Sequence, residues 1–270
     1  MPEAASDGLV RLDAELVRQG LARSRALAVE AIGGGRVTVG GRQALKASQR
    51  IPPDAELGLV GEDGYVSRSA HKLVAVLDAF AVTVEGRLAL DVGASTGGFT
   101  QVLLERGARQ VIALDVGHGQ LAAVVREDPH VVVVEGANAR SLTARDLAER
   151  SGIDERPGLA VADVSFISLT TILPALVDTL GPDADYVLLI KPQFEVGRQG
   201  IREGLVRDRA RRQDAASAVL WAAWDLGLPT AGLISSPLLG SNGNQEYLLW
   251  LSRAVGGNPT EWSGAVAALL

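Results

Sequence analysis

A glycine-rich turn is the first feature that could bind a ligand. The apolar run Leu88 to Val92 leads into the segment Asp91 to Phe99, whose glycines at 93, 97 and 98 permit a tight strand-to-helix turn. Such a turn lets the backbone approach a ligand closely. The spacing is not the dinucleotide pattern G-x-G-x-x-G, and no Gly-Lys-Ser/Thr follows, so the turn is not a phosphate-binding P-loop.

An acid at the end of the next apolar run adds to this candidate site. Asp115 closes the run that begins at Val111, a position where a carboxylate can accept hydrogen bonds from ribose hydroxyls. The turn and the acid together indicate a cofactor that contains a nucleoside. The alternative is a turn that needs glycine only to pack a helix on a strand.

Three more charged residues lie at the ends of apolar runs: Asp163 after residues 159–162, Lys191 after 186–190 and Glu246 before 247–251. Ligands of open α/β sheets bind outside the carboxyl ends of the parallel strands, where Asp163 and Lys191 stand. Glu246 can join them only if its strand runs antiparallel. Taken singly, a lysine or aspartate at a strand end is more typical of a solvated surface or a helix N-cap.

The elements that position these residues follow from the apolar pattern. From residue 68 on, apolar runs of strand length alternate with helical stretches. Continuous apolar strands are typical of a parallel sheet covered on both faces, which predicts one doubly wound α/β domain. Its seven strands are expected at residues 88–92, 111–115, 131–134, 159–162, 186–190, 231–234 and 247–251.

Composition excludes several kinds of site. The 270 residues are 47% hydrophobic and include no Cys, so disulfides, iron–sulfur clusters, Cys-based zinc sites and a thiol nucleophile are excluded. Three His residues leave little material for a metal site, and none is expected. No run approaches the ~18 apolar residues of a membrane helix, and the N-terminus has no secretory pattern. We therefore expect a cytoplasmic protein without stable membrane association.

Charge is divided unevenly along the chain. Residues 9–50 contain eight basic and three acidic residues, a net charge of +5, whereas residues 51–270 carry a net charge of −9. A basic module on an acidic body indicates a polyanionic partner for the small part. The alternative is an arginine-rich surface that is only solvated.

The basic segment has the pattern of a small α+β module. Apolar residues at 9, 12, 16 and 17 predict a helix ending near Gly20, and Ser24 can cap a second helix over residues 25–32. Alternation at 37–39, then Gly40-Gly41, predicts a hairpin that resumes at 44–46. A last short strand is expected at Leu57–Val60, before a Gly- and Asp-rich linker.

This layout resembles the S4 RNA-binding domain. The matching strings are Arg11-Leu-Asp, Gly20-Leu-Ala-Arg-Ser-Arg and Gly35-Arg-Val-Thr-Val-Gly-Gly. The resemblance implies an S4-like domain over residues 1–60, a linker over 61–67 and a second domain over 68–270. It also implies RNA contacts, mainly with phosphates, by Arg11, Arg23, Arg25, Arg36 and Lys46.

The second domain resembles the S-adenosylmethionine-dependent methyltransferases, in the FtsJ-like branch that modifies ribose 2′-hydroxyls. The turn matches that branch's first motif, strand–Asp–x–Gly–x–x–x–Gly–Gly–Phe. The resemblance implies a Rossmann-like class I fold with a seven-stranded, mostly parallel sheet, an antiparallel last strand and S-adenosyl-L-methionine as cofactor. The implied cofactor-binding residues are Asp91, Gly93, Ala94, Ser95, Thr96, Gly97, Gly98, Phe99, Asp115 and Asn138.

The same branch carries a catalytic Lys–Asp–Lys–Glu set, and this sequence supplies each member in order. By resemblance the four are Lys72, Asp163, Lys191 and Glu246, with Lys191 as base or charge stabiliser. Two neighbouring amines repel each other, which favours proton loss from one of them. Methyl transfer to a ribose hydroxyl needs strict alignment and removal or screening of the hydroxyl proton.

The combination of both domains resembles the TlyA family of 16S/23S rRNA (cytidine-2′-O)-methyltransferases, often labelled haemolysins. The strings Ser-Arg-x-Ala-His-Lys-Leu, Lys-Pro-Gln-Phe-Glu-Val-Gly and Gly-Asn-x-Glu-Tyr carry the match. The resemblance implies ribosomal RNA within ribosomal subunits as partner. Two other classes stay open: a membrane-active haemolysin, for which no hydrophobic hairpin or basic amphipathic helix is found, and a non-catalytic RNA-binding assembly factor.

Overall fold

The computed structural model describes residues 8–22, 24–40, 42–44, 46–53, 55, 57–59, 64–197, 200–201, 203–240 and 243–269, with backbone only at 42, 43, 58 and 59. The chain divides into two compact units, Met1–Arg68 and Ser69–Leu270.

The first unit combines two helices with two small antiparallel sheets. Its elements are β1 (Val10–Arg11), α1 (Leu12–Arg18), α2 (Arg25–Gly33), β2 (Val37–Val39), β3 (Arg42–Gln43), β4 (Arg50–Ile51) and β5 (Leu57–Leu59). Strand β1 pairs with β4, and β2 lies between β3 and β5. Leu12, Leu16, Ile32 and Val37 form its core. The Ser24 side chain caps α2 by accepting from the Leu27 amide.

Two local expectations for this unit were wrong. Helix α1 begins at Leu12 rather than near Leu9, because Val10 and Arg11 pair with β4 instead. The hairpin resumes at Arg42 rather than at Ala44, since Val39 pairs with Arg42. Ala44 marks its end, where its amide donates to the Val37 carbonyl and its side chain is buried.

The second unit alternates strand and helix as expected. Its strands are β6 (Leu88–Val92), β7 (Gln110–Asp115), β8 (Val131–Glu135), β9 (Leu159–Ala162), β10 (Asp185–Ile190), β11 (Thr230–Ser235) and β12 (Tyr247–Leu251). Its helices are α3 (Ala70–Ala79), α4 (Gly98–Glu105), α5 (Ala123–Arg126), α6 (Ala144–Ser151), α7 (Leu169–Leu180), α8 (Pro192–Glu195), α9 (Arg209–Asp225) and α10 (Ser263–Ala268). Strands β6 and β9 are buried along their whole length, so both faces of the sheet are covered.

The seven strands form one sheet in the order β11-β12-β10-β9-β6-β7-β8. Strand β12 pairs antiparallel with both β10 and β11, whereas the other pairings are parallel. This confirms the mostly parallel sheet with an antiparallel last strand. The register pairs Ile190 with Tyr247, so Lys191 and Glu246 emerge at the same edge of the sheet. Ala162 pairs with Leu188, so Asp163 emerges there as well.

Candidate active site

Four charged side chains meet at this edge in an alternating chain. Lys72 Nζ, which α3 supplies, lies 2.6 Å from Glu246 Oε2 and 3.9 Å from Asp163 Oδ2. Lys191 Nζ lies 2.6 Å from Asp163 Oδ1. The order is therefore Glu246–Lys72–Asp163–Lys191, with each cation next to a carboxylate. The sequence prediction named these four residues, and the structure brings them together.

The four side chains of this cluster are not equally buried. The cluster has a closed end at Glu246 and an open end at Asp163 and Lys191. The exposed fraction of the side chain is 2% for Glu246 and 7% for Lys72, but 10% for Lys191 and 16% for Asp163. Gly240 packs against Glu246, where a Cβ atom would overlap Oε1. Buried charges persist only when paired, and this set is formally neutral. The cluster is therefore more accessible at Asp163 and Lys191 than at Glu246.

The loop after Asp163 supplies two site residues that sequence reasoning missed. Lys191 Nζ donates to Ser165 Oγ over 2.9 Å, which gives this amine a second fixed partner. Phe166 has a positive φ of 65° and is 92% exposed, and its ring lies 5.4 Å from that of Phe194. Neither feature has a signal in a sequence, because positive φ is uncommon outside glycine and a phenylalanine in an apolar string is read as core. An exposed ring here can stack on a nucleobase.

Glu195 fastens this loop to the Lys191 segment. One carboxylate oxygen accepts from the Leu169 amide over 2.8 Å and the other accepts from the Ser168 hydroxyl. Burial raises the pKa of the Glu195 carboxyl, and the two hydrogen bonds oppose that shift. Because α7 begins at Leu169, the carboxylate also sits at a helix N-terminus, which favours its negative charge.

A cavity of about 420 Å³ opens beside Asp163. Four of the ten predicted cofactor residues line it: Gly93, Ser95, Asp115 and Asn138. Sequence reasoning missed apolar parts of the wall such as Leu114, Ile167 and Ile172, and the polar Gln120. The other six, Asp91, Ala94, Thr96, Gly97, Gly98 and Phe99, are not among the lining residues.

Glycine is needed in the turn for two different reasons. Gly93 has φ of 80°, and a Cβ there would lie 2.9 Å from the Asp163 carbonyl oxygen, so this glycine lets the turn pass close to the backbone at Asp163. Gly97 has φ of 99°, and a Cβ there would lie 2.9 Å from a Leu121 methyl group. Gly97 is therefore required both by its positive φ and by close packing against the α5 region, not by a helix packed on a strand.

Two acids support the turn and the cavity. Asp115 accepts from the Ser95 amide over 2.8 Å and from the Gly117 amide over 2.7 Å. Its oxygens have further lone pairs, and Asp115 lines the cavity, so it can also accept from a ligand. Asp91 is fully buried and accepts from the Thr100 hydroxyl over 2.6 Å. Burial raises the pKa of Asp91 to about 7, and among the described residues its Oδ1 has no hydrogen-bond partner.

The predicted RNA-binding residues of the first unit fall into three groups. Arg11 and Arg25 both bond the buried Asp13. Arg36 is half-buried and Lys46 is exposed. Arg23 lies outside the described residues. Two of the five are therefore paired with a carboxylate that sequence reasoning had not singled out.

Within the described part of the chain, no helix is both long enough and apolar enough to cross a membrane.

Two family models match the chain. The FtsJ-like methyltransferase model matches residues 65–253, and the S4 domain model matches residues 10–57. FtsJ-like methyltransferases depend on S-adenosylmethionine.

Curated relatives and a solved structure match over most of their length. The chain is 52% identical to the 16S/23S rRNA (cytidine-2′-O)-methyltransferase TlyA of Mycobacterium tuberculosis, over 89% of each protein. It is 38% identical to Hemolysin A of Brachyspira hyodysenteriae, over 88% of this chain and 98% of that protein. A solved haemolysin-type structure from Streptococcus thermophilus has a TM-score of 0.73 at 38% identity, covering 96% of this chain and 95% of that one.

Proposed function

Since the chain belongs to the FtsJ-like methyltransferases and, within them, to the TlyA rRNA methyltransferase family, we propose that it methylates the ribose 2′-hydroxyl of cytidines in 16S and 23S ribosomal RNA. The methyl donor is S-adenosyl-L-methionine, and the substrate is RNA within ribosomal subunits. Action on ribosomes would place the protein in the cytoplasm.

The alternating four-charge cluster beside the cavity carries this proposal. A buried set of two lysines and two carboxylates costs desolvation free energy that a purely structural site avoids with apolar side chains. At its open end Asp163 lines the cavity where a ligand would sit, and Lys191 pairs with that carboxylate. An RNA-binding assembly factor has no need of such a cluster, so the arrangement favours an enzyme.

Lys191 acts on the hydroxyl in this mechanism. The base is proposed to be the neutral form of its amine, held by Asp163 and Ser165: it receives the 2′-hydroxyl proton as the oxygen attacks the methyl group, and the resulting ammonium offsets the charge that had developed on the oxygen. Asp163 fixes the amine and links it to Lys72. Glu246 keeps Lys72 in place from the closed end of the cluster. The four groups act as a unit, so the effects of their loss will not add.

The cavity fits a nucleoside-containing methyl donor. Asp115 and Asn138 line the cavity, where the first is placed for the ribose hydroxyls and the second for the base. Asp91 is fully buried outside that lining, and its Oδ1, which has no hydrogen-bond partner among the described residues, is proposed to balance the positive charge of the methionine part. Bound S-adenosylmethionine supplies a sulfonium methyl group as electrophile. The residues around the cavity orient the reactants in line and exclude water, which is the main source of acceleration in such a transfer.

Substrate recognition is assigned to both units. Arg11, Arg23, Arg25, Arg36 and Lys46 would contact RNA phosphates, in line with the S4 domain match. The exposed Phe166 ring beside the catalytic loop offers a stacking surface for the target base. The first unit thus contributes affinity and the second contributes chemistry.

The deciding experiment measures methyl transfer from labelled S-adenosylmethionine to isolated small and large ribosomal subunits. Digestion of the RNA and mass spectrometry identify the modified nucleoside. We expect 2′-O-methylcytidine with the native protein and none with Lys191→Ala. A methyl group on a base atom, or no transfer to either subunit, contradicts the proposal.

A further inference from the structure

A buried carboxylate lies beneath two of the proposed RNA-binding arginines. The Asp13 side chain is only 3% exposed. Arg11 donates to Asp13 through Nε and Nη2, each over 3.0 Å, and Arg25 Nη2 donates to Asp13 Oδ2 over 2.8 Å. Three N–H donors from two guanidinium groups therefore converge on one carboxylate.

Both guanidinium groups keep an outward face. The Arg11 and Arg25 side chains are 42% and 59% exposed. Arg11 uses one edge of its fork for Asp13, and Arg25 uses a single nitrogen. A guanidinium has five N–H donors, so most donors of the pair point away from Asp13. Phosphate oxygens match this fork geometry.

The placement of Asp13 is costly unless it serves the arginines. A carboxylate weakens the positive potential that attracts RNA, and burying it costs desolvation free energy. The two guanidinium groups hold the pKa of Asp13 well below its usual range, so it stays ionised. In return the shared carboxylate offsets the repulsion between two neighbouring arginines and fixes both side chains before any ligand arrives. Such preorganisation removes part of the entropic cost of binding.

We propose that Asp13 is a positioning residue that holds Arg11 and Arg25 as a preoriented pair for adjacent RNA phosphates. This inference rests on the proposed function, because it takes ribosomal RNA as the ligand of the first unit. It adds an acidic residue to a recognition surface that the charge pattern describes as basic.

The direction in which Asp13→Asn changes RNA affinity separates this positioning role from simple electrostatics. Asp13→Asn removes a negative charge, so electrostatics alone predicts tighter RNA binding and a steeper salt dependence. Preorganisation predicts the opposite: affinity of the full-length protein for ribosomal subunits about tenfold weaker, and a shallower salt dependence because phosphate contacts are lost.

Glu15 provides a matched control on the same helix. It is also buried, and it pairs with Arg18, which is outside the proposed RNA-binding set. Glu15→Gln therefore removes a buried acid of the same module without releasing Arg11 or Arg25. We expect its RNA affinity to be unchanged or higher. Thermal unfolding of both variants checks that the module stays folded.

If Asp13→Asn does not fold, Arg11→Ala, Arg25→Ala and the double variant replace it. A preoriented pair predicts that the double variant loses less affinity than the product of the two single losses, because either loss already breaks the pair. Native-like or tighter binding by Asp13→Asn, or strictly multiplicative arginine losses, overturns the inference. Absence of subunit binding by the native protein instead contradicts the proposed function.

Discussion

Each unit of this protein holds a carboxylate between two cations. The two arrangements differ in the type of cation and in how exposed the cations are. Asp163 lies between Lys72 and Lys191, whose side chains are 7% and 10% exposed. Asp13 lies between Arg11 and Arg25, whose side chains are far more exposed. The cations are therefore buried in the second unit and exposed in the first, although both carboxylates are largely buried.

The type and exposure of the cations suit the second unit to proton transfer and the first unit to phosphate binding. A lysine can lose a proton, and its compact ammonium group can meet a single developing charge. An arginine stays protonated, but its fork matches the oxygens of a phosphate. Burial excludes water where a hydroxyl must react, whereas exposure gives an RNA backbone access. We propose that the second unit uses this pattern of charges for catalysis and the first uses it for recognition.

The largest effect is expected from Lys191→Ala, which removes a cation from the buried arrangement. We predict a fall in the single-turnover methylation rate of roughly 10²–10⁴-fold, the usual contribution of a proton-transfer group. The affinities for S-adenosylmethionine and for ribosomal subunits should be retained, as calorimetry and filter binding can measure. A rate within a few-fold of native would make the cluster structural.

Asp115→Ala tests whether the cavity beside the buried arrangement holds the cofactor. It removes the proposed ribose contacts and also frees the Ser95 and Gly117 amides. Two hydrogen bonds at ~0.5–1.5 kcal/mol each predict S-adenosylmethionine binding weakened by roughly tenfold or more. The control is Asp146→Ala, a surface acid paired with Arg150 on α6. Unchanged calorimetric affinity for Asp115→Ala would remove this residue from the cofactor site.

A smaller effect is expected in the pH dependence of S-adenosylmethionine affinity, through the buried carboxyl group of Asp91. Burial raises the pKa of Asp91 to about 7, so its carboxyl is neutral below that pH and negative above it. If Asp91 faces the cationic methionine part of the cofactor, affinity should rise several-fold as pH increases through 7. Asp91→Asn should flatten this dependence. A native affinity that is flat or falls with pH contradicts the assignment.

The smallest effect is expected on the exposed surface. Lys46→Ala removes one proposed phosphate contact from an exposed side chain. We predict a few-fold loss of subunit affinity at low salt and a salt slope reduced in magnitude by about one, with cofactor affinity unchanged. An unaltered salt slope would place Lys46 outside the RNA interface.

The overall fold was predictable from residue patterns. Apolar runs of strand length between helical stretches fixed the number and positions of the seven strands. The antiparallel direction of β12 was different: periodicity does not encode direction, and only the family resemblance supplied it. That direction brings Glu246 to the edge where Lys191 emerges.

The parts of the site that sequence reasoning missed depend on tertiary contacts. A string such as Arg11-Leu-Asp13 shows charges but not that the acid is buried beneath two arginines. Phe166 was not singled out from the sequence, because a residue string shows neither its positive φ nor its exposed ring. In the glycine-rich turn, residue type alone could not separate Gly93, which approaches the backbone at Asp163, from Gly97, which admits a leucine methyl group.

Reciprocal substitution of the two cation types tests the central comparison most directly. Lys191→Arg and Arg25→Lys both keep the charge, so any effect reports on the type of cation. Single-turnover methylation and subunit affinity are measured for each variant. We predict that Lys191→Arg still binds subunits but loses nearly all methyl transfer, because a guanidinium does not give up a proton. Arg25→Lys should keep the methylation rate at saturation and lose only a few-fold in affinity. Near-native methyl transfer by Lys191→Arg would contradict the proposed role of the buried lysines.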